Sequence, residues 1–214
     1  DNKYNCNKSL GNFNSTIGLP LSLLSCNTNH QYIILELGAN KKGEIKKLCD
    51  IVRPDYSLIT NISNAHIKNY NSLEEITKNK AEVFHSLPIK NGIAFINLND
   101  KEIKRIPIKS KNISYGIDNN KAKFNGIDIS DNILKINGEN INVPEKIMHL
   151  KEIILSVYAI SKTLGVNNID FQKYINSFKP LKGRGNIITI KNYKIIDDAY
   201  NANPSSMHYA INRL

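Results

Sequence analysis

Residues 33–40 of the chain read IILELGAN, and residues 43–45 follow as GEI. The aliphatic run before the acid is typical of a strand that is covered on both faces in a parallel sheet. The glycines that follow indicate a tight turn, and the apolar spacing up to Val52 indicates a helix. Sheets of this kind bind ligands at the carboxyl ends of their strands, where Glu36 lies. The stretch therefore predicts an open α/β fold with a polar site at this strand end.

A second predicted strand also ends in a polar segment. Residues 56–62 are expected to form this strand, and His66 follows it. A carboxylate and an imidazole at two strand ends could together hold a metal ion. The alternative is that Glu36 is an ordinary solvated residue at the end of its strand. Spacing alone leaves both interpretations open.

The rest of the first half repeats the alternation of strands and helices. The sequence Ser72-Leu73-Glu74-Glu75 is a capping box, which predicts the start of a helix that carries Lys80. Residues 92–97 and 113–116 are predicted strands. Strands separated by helices favour a mostly parallel sheet with helices on its faces.

The pattern changes at about residue 121, where apolar and polar residues begin to alternate. Asp131-Asn132 and Asn137-Gly138 are turn signals within this part. We expect residues 121–143 and 186–196 to form a small antiparallel sheet beside the parallel one. The remaining apolar spacing predicts helices over residues 147–164 and 171–178, and a last helix that begins near Ser205.

Composition narrows the class of protein. The chain has 214 residues, of which 41% are hydrophobic, and its formal net charge is +10. It contains no apolar run long enough to span a membrane, and we expect no signal peptide. The three cysteines lack metal-ligand spacing and fit a reducing cytoplasm. The lysines are spread along the chain. The positive charge therefore reflects a general bias in composition more than the dense basic segment of a nucleic-acid-binding protein.

Five motifs occur in the order in which Mur ligases carry them, preceded by a similar polar loop, SLGNFNSTIGLP, over residues 9–20. The motifs are LELGAN with GEI (35–45), ITNI with AH (59–66), KAEVF (80–84), GR (183–184) and IDDAYNANP (196–204). The chain therefore resembles the Mur ligase family. The sequences of these motifs are similar to those of the members that add D-alanyl-D-alanine to a UDP-N-acetylmuramoyl tripeptide in peptidoglycan precursor synthesis.

The resemblance implies that residues 1–214 are the central, ATP-binding domain, with a P-loop-NTPase-like sheet. The family's UDP-binding first domain, its last domain and its Gly-Lys-Thr phosphate loop are expected outside this stretch. Since that loop cradles the triphosphate, we expect the 214 residues alone to lack ligase activity. The resemblance also implies a monomer in the cytoplasm, without nucleic acid and without membrane insertion.

The family's site residues carry over to matching positions. The resemblance implies a Mg²⁺ site built from Glu36, His66 and a carbamylated Lys80, which would also be the catalytic group of residues. It implies ATP contacts from Arg184, Asp198, Tyr200, Asn201 and Asn203. It implies substrate contacts from Asn12, Asn14 and Ser15. The plain alternatives are that Lys80 is a solvated helix lysine and that Asp198, with Asp197, merely caps a strand.

Some positions depart from the family pattern. Lys41 stands where a histidine is usual, and Ser9 and Ser15 replace threonine and asparagine. Leu150 and Ile153 lie where asparagines are usual after His149. Two other classes remain as alternatives. One is a related amide ligase, such as cyanophycin or folylpolyglutamate synthetase. The other is a non-catalytic basic binding module.

Overall fold

The structure is a computed structural model that describes residues 3–63, 70–130, 132–202 and 204–212. The chain divides into two compact units, Asp1–Ser114 and Tyr115–Leu214. Among the described residues, no helix has the length and apolar character needed to cross a membrane.

The first unit alternates strands and helices, as its sequence predicts. Strand β1 pairs in parallel with β2, and β3 pairs in parallel with β4. In chain order the elements are β1 (Cys6–Lys8), α1 (Gly18–Leu24), β2 (Tyr32–Ile34), α2 (Glu44–Val52), β3 (Tyr56–Leu58), α3 (Leu73–His85) and β4 (Ile93–Asn97). A short 3₁₀ helix, Ile103–Arg105, follows β4, and β5 (Lys111–Ile117) ends in the second unit.

Local sequence signals set the helix ends in this unit. The Ser72 hydroxyl accepts a hydrogen bond from the backbone N–H of Glu75, which confirms the predicted N-cap of α3. Helix α2 ends at Arg53, which adopts a left-handed conformation with φ of 49°. Pro54 comes next and cannot continue the helix.

Two hydrophobic clusters form the core of the first unit. The smaller packs Leu37 and Leu35 against buried residues of α1 and α2, among them Leu19 and Leu48. The larger contains Ile59, Ile62, Tyr70, Ile76, Ala81, Phe84, Leu87, Ala94, Ile103 and Ile106. In the segment after β2, apolar residues thus pack on either side of Glu36. In the segment after β3, Ile59 and Ile62 pack on either side of residues 60 and 61.

The expectation that residues 32–35 form a fully covered strand is wrong. Ile33 and Ile34 expose 43% and 64% of their surface. Among the described residues, β2 pairs only with β1, and so small a sheet gives the faces of its strands little cover. The expected strand over residues 56–62 is also shorter, since β3 ends at Leu58 and the chain then turns to irregular structure.

The described part of the second unit contains an antiparallel meander, three α-helices and a separate ribbon. Strand β6 pairs in parallel with β5 and antiparallel with β7, which in turn pairs antiparallel with β8. The elements are β6 (Phe124–Ser130), β7 (Ile133–Ile136), β8 (Glu139–Asn142), α4 (Lys151–Thr163), α5 (Asn168–Ser177), β9 (Asn186–Ile190), β10 (Tyr193–Asp197) and α6 (Pro204–Ile211). A 3₁₀ helix, Glu145–Leu150, precedes α4, so the single helix predicted over residues 147–164 is divided.

The fold class is confirmed, but the composition of the small antiparallel sheet is corrected. Strands β9 and β10 form their own two-stranded sheet, whereas β6–β8 extend the sheet that contains β5. Leu134, Ile136 and Ile141, which alternate along β7 and β8, are fully buried. Asn137 and Gly138 both have positive φ, as a tight hairpin turn between β7 and β8 requires.

Candidate functional site

Glu36 lies in the segment that leaves β2, and a loop of the first unit holds it in place. Asn14 Nδ2 donates a hydrogen bond to Glu36 Oε1 at 3.0 Å, and the Glu36 backbone N–H donates to Ser9 Oγ at 2.8 Å. The Gly38 N–H donates to the Asn14 carbonyl at 2.8 Å. We call Ser9, Asn14, Glu36 and Gly38 the strand-end cluster. Glu36 itself is exposed, so its carboxylate is both fixed and open to solvent.

The other two predicted substrate residues of this loop make local contacts. The Asn12 carbonyl accepts from the Asn14 N–H, and Ser15 Oγ accepts from the Gly18 N–H at the start of α1. Ser15 thus supports the first turn of α1. The structure brings Asn14, a predicted substrate contact, next to Glu36, a predicted metal ligand. No pattern in the sequence indicates this contact.

Lys80 is not a freely solvated lysine. Its side chain is half-buried, and Nζ donates a hydrogen bond to the Asn61 carbonyl at 2.9 Å. Burial lowers the pKa of Lys80 below its ordinary value, and the charge of Asp100 opposes that shift. Asp100 in turn accepts from the Ile62 N–H, so it ties the segment after β3 to the turn after β4. Lys80 therefore faces the segment that leads from β3 toward His66.

Asn79 is a structural residue of this region that the sequence did not single out. It is 5% exposed; Oδ1 accepts from the Gly43 N–H at 2.9 Å, and Nδ2 donates to the Tyr70 hydroxyl at 2.8 Å. Nearby, Glu44 Oε2 accepts from the N–H groups of Asn40 and Lys41, and these bonds lower the pKa of Glu44. Together Asn79 and Glu44 fix the loop between β2 and α2.

The second unit brings four of the predicted ATP-binding residues to one cavity. The cavity measures about 190 Å³ and is lined by Gly183, Arg184, Asp198, Tyr200, Asn201 and Ser206. We call it the Arg184 cavity. The Arg184 guanidinium lies 3.8 Å from the centroid of the Tyr200 ring, a cation–π contact that orients the cation.

Asp197 gives the Arg184 cavity its backbone shape. Its Oδ2 accepts from the Gly183 N–H at 3.1 Å, and its carbonyl accepts from the Gly185 N–H at 2.9 Å. The Gly183 carbonyl accepts from the Tyr200 N–H at 3.0 Å, which joins the two segments of the cavity. Gly183 has φ of 75°, a conformation that suits glycine. Asp197 is therefore a positioning residue, and Asp198 lines the cavity itself.

The structure describes only two of the three predicted metal ligands, Glu36 and Lys80. His66 and Asn203 lie outside the described residues. Among the residues that the structure describes, no group of three His, Cys, Asp or Glu side chains could hold a metal ion. Glu36 nevertheless fits a hard cation, because Mg²⁺ is commonly held by one or two carboxylates together with water and phosphate oxygens. Its Oε1 accepts from Asn14, and a carboxylate has further lone pairs.

Comparison with known proteins gives a consistent family. The family model described as the Mur ligase middle domain matches residues 2–168. The UDP-N-acetylmuramoyl-tripeptide–D-alanyl-D-alanine ligase of Rickettsia prowazekii is 35% identical over 96% of this chain and 49% of its own length. The ligase of the same name from Escherichia coli is 29% identical over 94% of this chain and 47% of its own length.

Solved structures agree with the sequence relatives. A crystal structure of MurF from Acinetobacter baumannii has a TM-score of 0.88 at 26% identity, covering 99% of this chain and 48% of that one. MurF from Thermotoga maritima, in complex with ADP, has a TM-score of 0.84 at 26% identity, covering 100% of this chain and 51% of that one. The chain spans about half the length of the curated relatives it matches.

Proposed function

This chain belongs to the Mur ligase family through its middle domain, and from that membership we propose that the protein joins D-alanyl-D-alanine to a UDP-N-acetylmuramoyl tripeptide, with ATP as co-substrate. The observation that carries the proposal is 35% identity to a ligase of that name along 96% of the chain. Both curated relatives reported above share that activity in their names, which favours this ligase over cyanophycin or folylpolyglutamate synthetase. Residues 1–214 would supply the central ATP-binding part.

The proposed reaction proceeds in two steps. The terminal carboxylate of the tripeptide attacks the γ-phosphorus of ATP, ADP leaves, and an acyl phosphate forms. The amine of D-alanyl-D-alanine then attacks the acyl carbon, inorganic phosphate leaves, and the nitrogen gives up a proton. Positioning and neutralisation of charge supply most of the catalysis in phosphoryl transfer. Mg²⁺, when bound, would neutralise phosphate charge, and Glu36, His66 and a modified Lys80 would hold it.

The environment of Lys80 supports the proposed carbamylation. The reaction joins the lone pair of a neutral amine to the carbon of CO₂, and the nitrogen loses a proton. An ordinary lysine with a pKa of about 10.4 is almost fully charged at neutral pH. Burial lowers the pKa of Lys80 and so raises its neutral fraction. The carbamate nitrogen keeps one N–H, which can still donate to the Asn61 carbonyl that Nζ contacts now.

The Arg184 cavity is the proposed contact for part of the nucleotide. Its volume of about 190 Å³ is below the roughly 300–1,000 Å³ of sites that enclose whole drug-sized ligands. Arg184 offers a planar cation for phosphate, and its contact with Tyr200 limits its freedom. Asn201 and Asn203 would offer amides to the base or ribose. The Thermotoga maritima relative was solved in complex with ADP, which supports ATP as the co-substrate. A cytoplasmic location belongs to the same proposal, and the three free cysteines support it.

The test is the activity of a Lys80 variant in the full-length protein. We expect Lys80→Ala to lower ATP-dependent product formation by about a hundredfold or more, the upper range for loss of a metal-site group. Acetate or formate should restore part of the activity, because a free carboxylate can replace the lost oxygens in the vacated space. The assay measures phosphate release and peptide product at saturating ATP and Mg²⁺.

Lys78→Ala is the matched control. Lys78 lies on the same helix, is 73% exposed, and pairs with Glu74 at the surface, so its loss should change turnover little. Equal activity in the Lys78 and Lys80 variants, with no effect of acetate, would remove Lys80 from the site. Loss of activity in both variants would point to a general effect of shortening lysines on α3.

A further inference from the structure

We propose that Asn14 is a positioning residue for Glu36: its side-chain amide fixes the carboxylate so that Oε2 is presented to a divalent cation. The inference rests on the proposed function, in which Glu36 is a metal ligand. It gives Asn14 a role in the metal site, although the sequence pattern predicts a substrate contact. The loop of residues 9–14 would then support the metal site from outside it.

The first observation is the direction of the hydrogen bond between the two side chains. Asn14 Nδ2 lies 3.0 Å from Glu36 Oε1. An ionised carboxylate can only accept, so the amide nitrogen of Asn14 must face Glu36 and its amide oxygen must face away. Within the described part of the chain, Glu36 Oε2 accepts no hydrogen bond from a side chain or backbone group. Among the contacts of the described residues, one oxygen of Glu36 is therefore held and the other has no partner.

The second observation is that the backbone fixes the loop against the same segment. Ile34 O accepts from the Ser9 N–H at 2.9 Å, and the Gly38 N–H donates to the Asn14 carbonyl at 2.8 Å. Between them, the Glu36 N–H donates to Ser9 Oγ at 2.8 Å. Contacts at residues 34, 36 and 38 leave little freedom for Asn14 to move relative to Glu36. The side-chain contact is thus part of a supported arrangement.

The third observation is the absence of a side chain at Gly38. A Cβ built on Gly38 would lie 2.8 Å from Asn14 Cγ and 2.9 Å from both Nδ2 and Oδ1. The Asn14 amide therefore occupies the space that a side chain at residue 38 would need. Glycine here is explained by the close approach of that amide, so Gly38 also serves the contact with Glu36.

Metal sites use such contacts to orient their ligands. A group that hydrogen-bonds a ligating carboxylate holds its plane in the geometry that the ion requires, and its loss typically costs about 10- to 100-fold in metal affinity or activity. The Asn14 amide is neutral, so it orients Glu36 without cancelling the charge that attracts the cation. The expected signature is a change in metal affinity in addition to any change in substrate KM.

The experiment measures Mn²⁺ binding to the full-length protein by electron paramagnetic resonance, with Mn²⁺ as the probe. Asn14→Ala should raise the Mn²⁺ dissociation constant by about tenfold or more. Gly38→Ala should act in the same direction, because its methyl group displaces an amide that is still present. The double variant should bind Mn²⁺ no more weakly than the weaker-binding single variant, since both substitutions break the same contact between Asn14 and Glu36. Circular dichroism confirms that each variant is folded, and Gly38→Ala provides the test if Asn14→Ala does not fold.

Asn12→Ala is the matched control for the metal measurement. It removes the same kind of side chain from the same loop, and the Asn12 side chain forms no hydrogen bond with the described residues. Its Mn²⁺ dissociation constant should equal that of the parent protein. Product assays are run beside the binding assays. An increase in KM for the UDP-linked peptide with unchanged Mn²⁺ binding in Asn14→Ala would make Asn14 a substrate contact and overturn the inference.

Glu36→Gln separates the inference from the function on which it rests. If Glu36→Gln weakens Mn²⁺ binding but Asn14→Ala and Gly38→Ala do not, the positioning role is wrong and the metal assignment of Glu36 stands. If Glu36→Gln leaves Mn²⁺ binding unchanged, Glu36 is not a ligand. The metal assignment and the role of Asn14 then fail together. Weaker binding in all three variants supports both.

Discussion

Replacement of Asn79 by alanine should destabilise the first unit more than replacement of an exposed residue of α3 would. Asn79 is 5% exposed on α3, and its amide joins the Gly43 N–H to the Tyr70 hydroxyl. Alanine removes both bonds at once. Gly43 is the N-cap residue of α2, and Tyr70 belongs to the larger hydrophobic cluster. The variant therefore loosens the loop after β2 from α3.

The magnitude follows from the two hydrogen bonds. Each is worth about 1 kcal/mol net, and a buried group left without a partner costs about 1–3 kcal/mol. Tyr70 is 7% exposed, so its hydroxyl bears most of that penalty, whereas Gly43 is half-buried and water can reach part of it. We expect a loss of about 2–4 kcal/mol, a large share of the roughly 5–15 kcal/mol that a domain has.

Urea unfolding followed by circular dichroism measures this loss, since the chain has no Trp to report by fluorescence. Asn176→Ala is the matched control: Asn176 is an exposed asparagine within α5. Both variants gain the same helix propensity. Within the described part of the chain, Asn176→Ala removes only an exposed hydrogen bond from Gln172 Nε2, so the difference between the variants reports mainly the buried contacts of Asn79. A difference below about 0.5 kcal/mol, the usual scatter of surface substitutions, would refute the reasoning.

Two further predictions concern the Arg184 cavity and Lys80. Gly183→Ala should weaken ADP binding by about tenfold, because φ is 75° and a Cβ would lie 3.1 Å from the Tyr200 N; Gly138→Ala, with φ of 95° and open space around it, should lower stability without changing ADP affinity, and equal ADP affinity in both variants would contradict the prediction. Since burial lowers the pKa of Lys80, the unfolded chain binds this proton more tightly than the folded chain. In CO₂-free buffer the free energy of unfolding should therefore gain a positive contribution from Lys80 as pH rises from the lowered pKa toward about 10.4. Urea titrations at several pH values should show that Lys80→Met removes this slope, and an unchanged slope would disprove the shift.

Local chemistry made several elements predictable. The capping box fixes the start of α3, the left-handed Arg53 and Pro54 end α2, and the turn at Asn137-Gly138 separates β7 from β8. Each signal involves residues within about four positions of one another. The residues that line the Arg184 cavity were named from the family resemblance, and they come from one segment of 24 positions, 183–206.

Strand lengths and partners were less predictable because an apolar run indicates burial and not pairing. Ile59 and Ile62 are buried as expected, at 5% and 8% exposure. They nevertheless lie beyond the end of β3, and the Ile62 N–H donates to the Asp100 carboxylate instead of a neighbouring strand. Residues buried in a hydrophobic cluster and residues buried in a sheet are both apolar, so the sequence does not distinguish them. Which strands share a sheet, as with β6–β8 and β5, depends on contacts that single-sequence patterns do not encode.

Lys78 and Lys80 show why residue type alone could not assign the site. Both are lysines on α3, two positions apart, and the sequence offers the same solvated interpretation for each. Lys78 is 73% exposed and paired with Glu74, whereas the half-buried Lys80 donates to the Asn61 carbonyl, 19 positions away. Burial lowers the pKa of Lys80, whereas the hydrogen bond with Glu74 raises the pKa of Lys78. Carbamylation requires a neutral amine, so the packing of the segment after β3 against α3 makes Lys80, and not Lys78, the candidate.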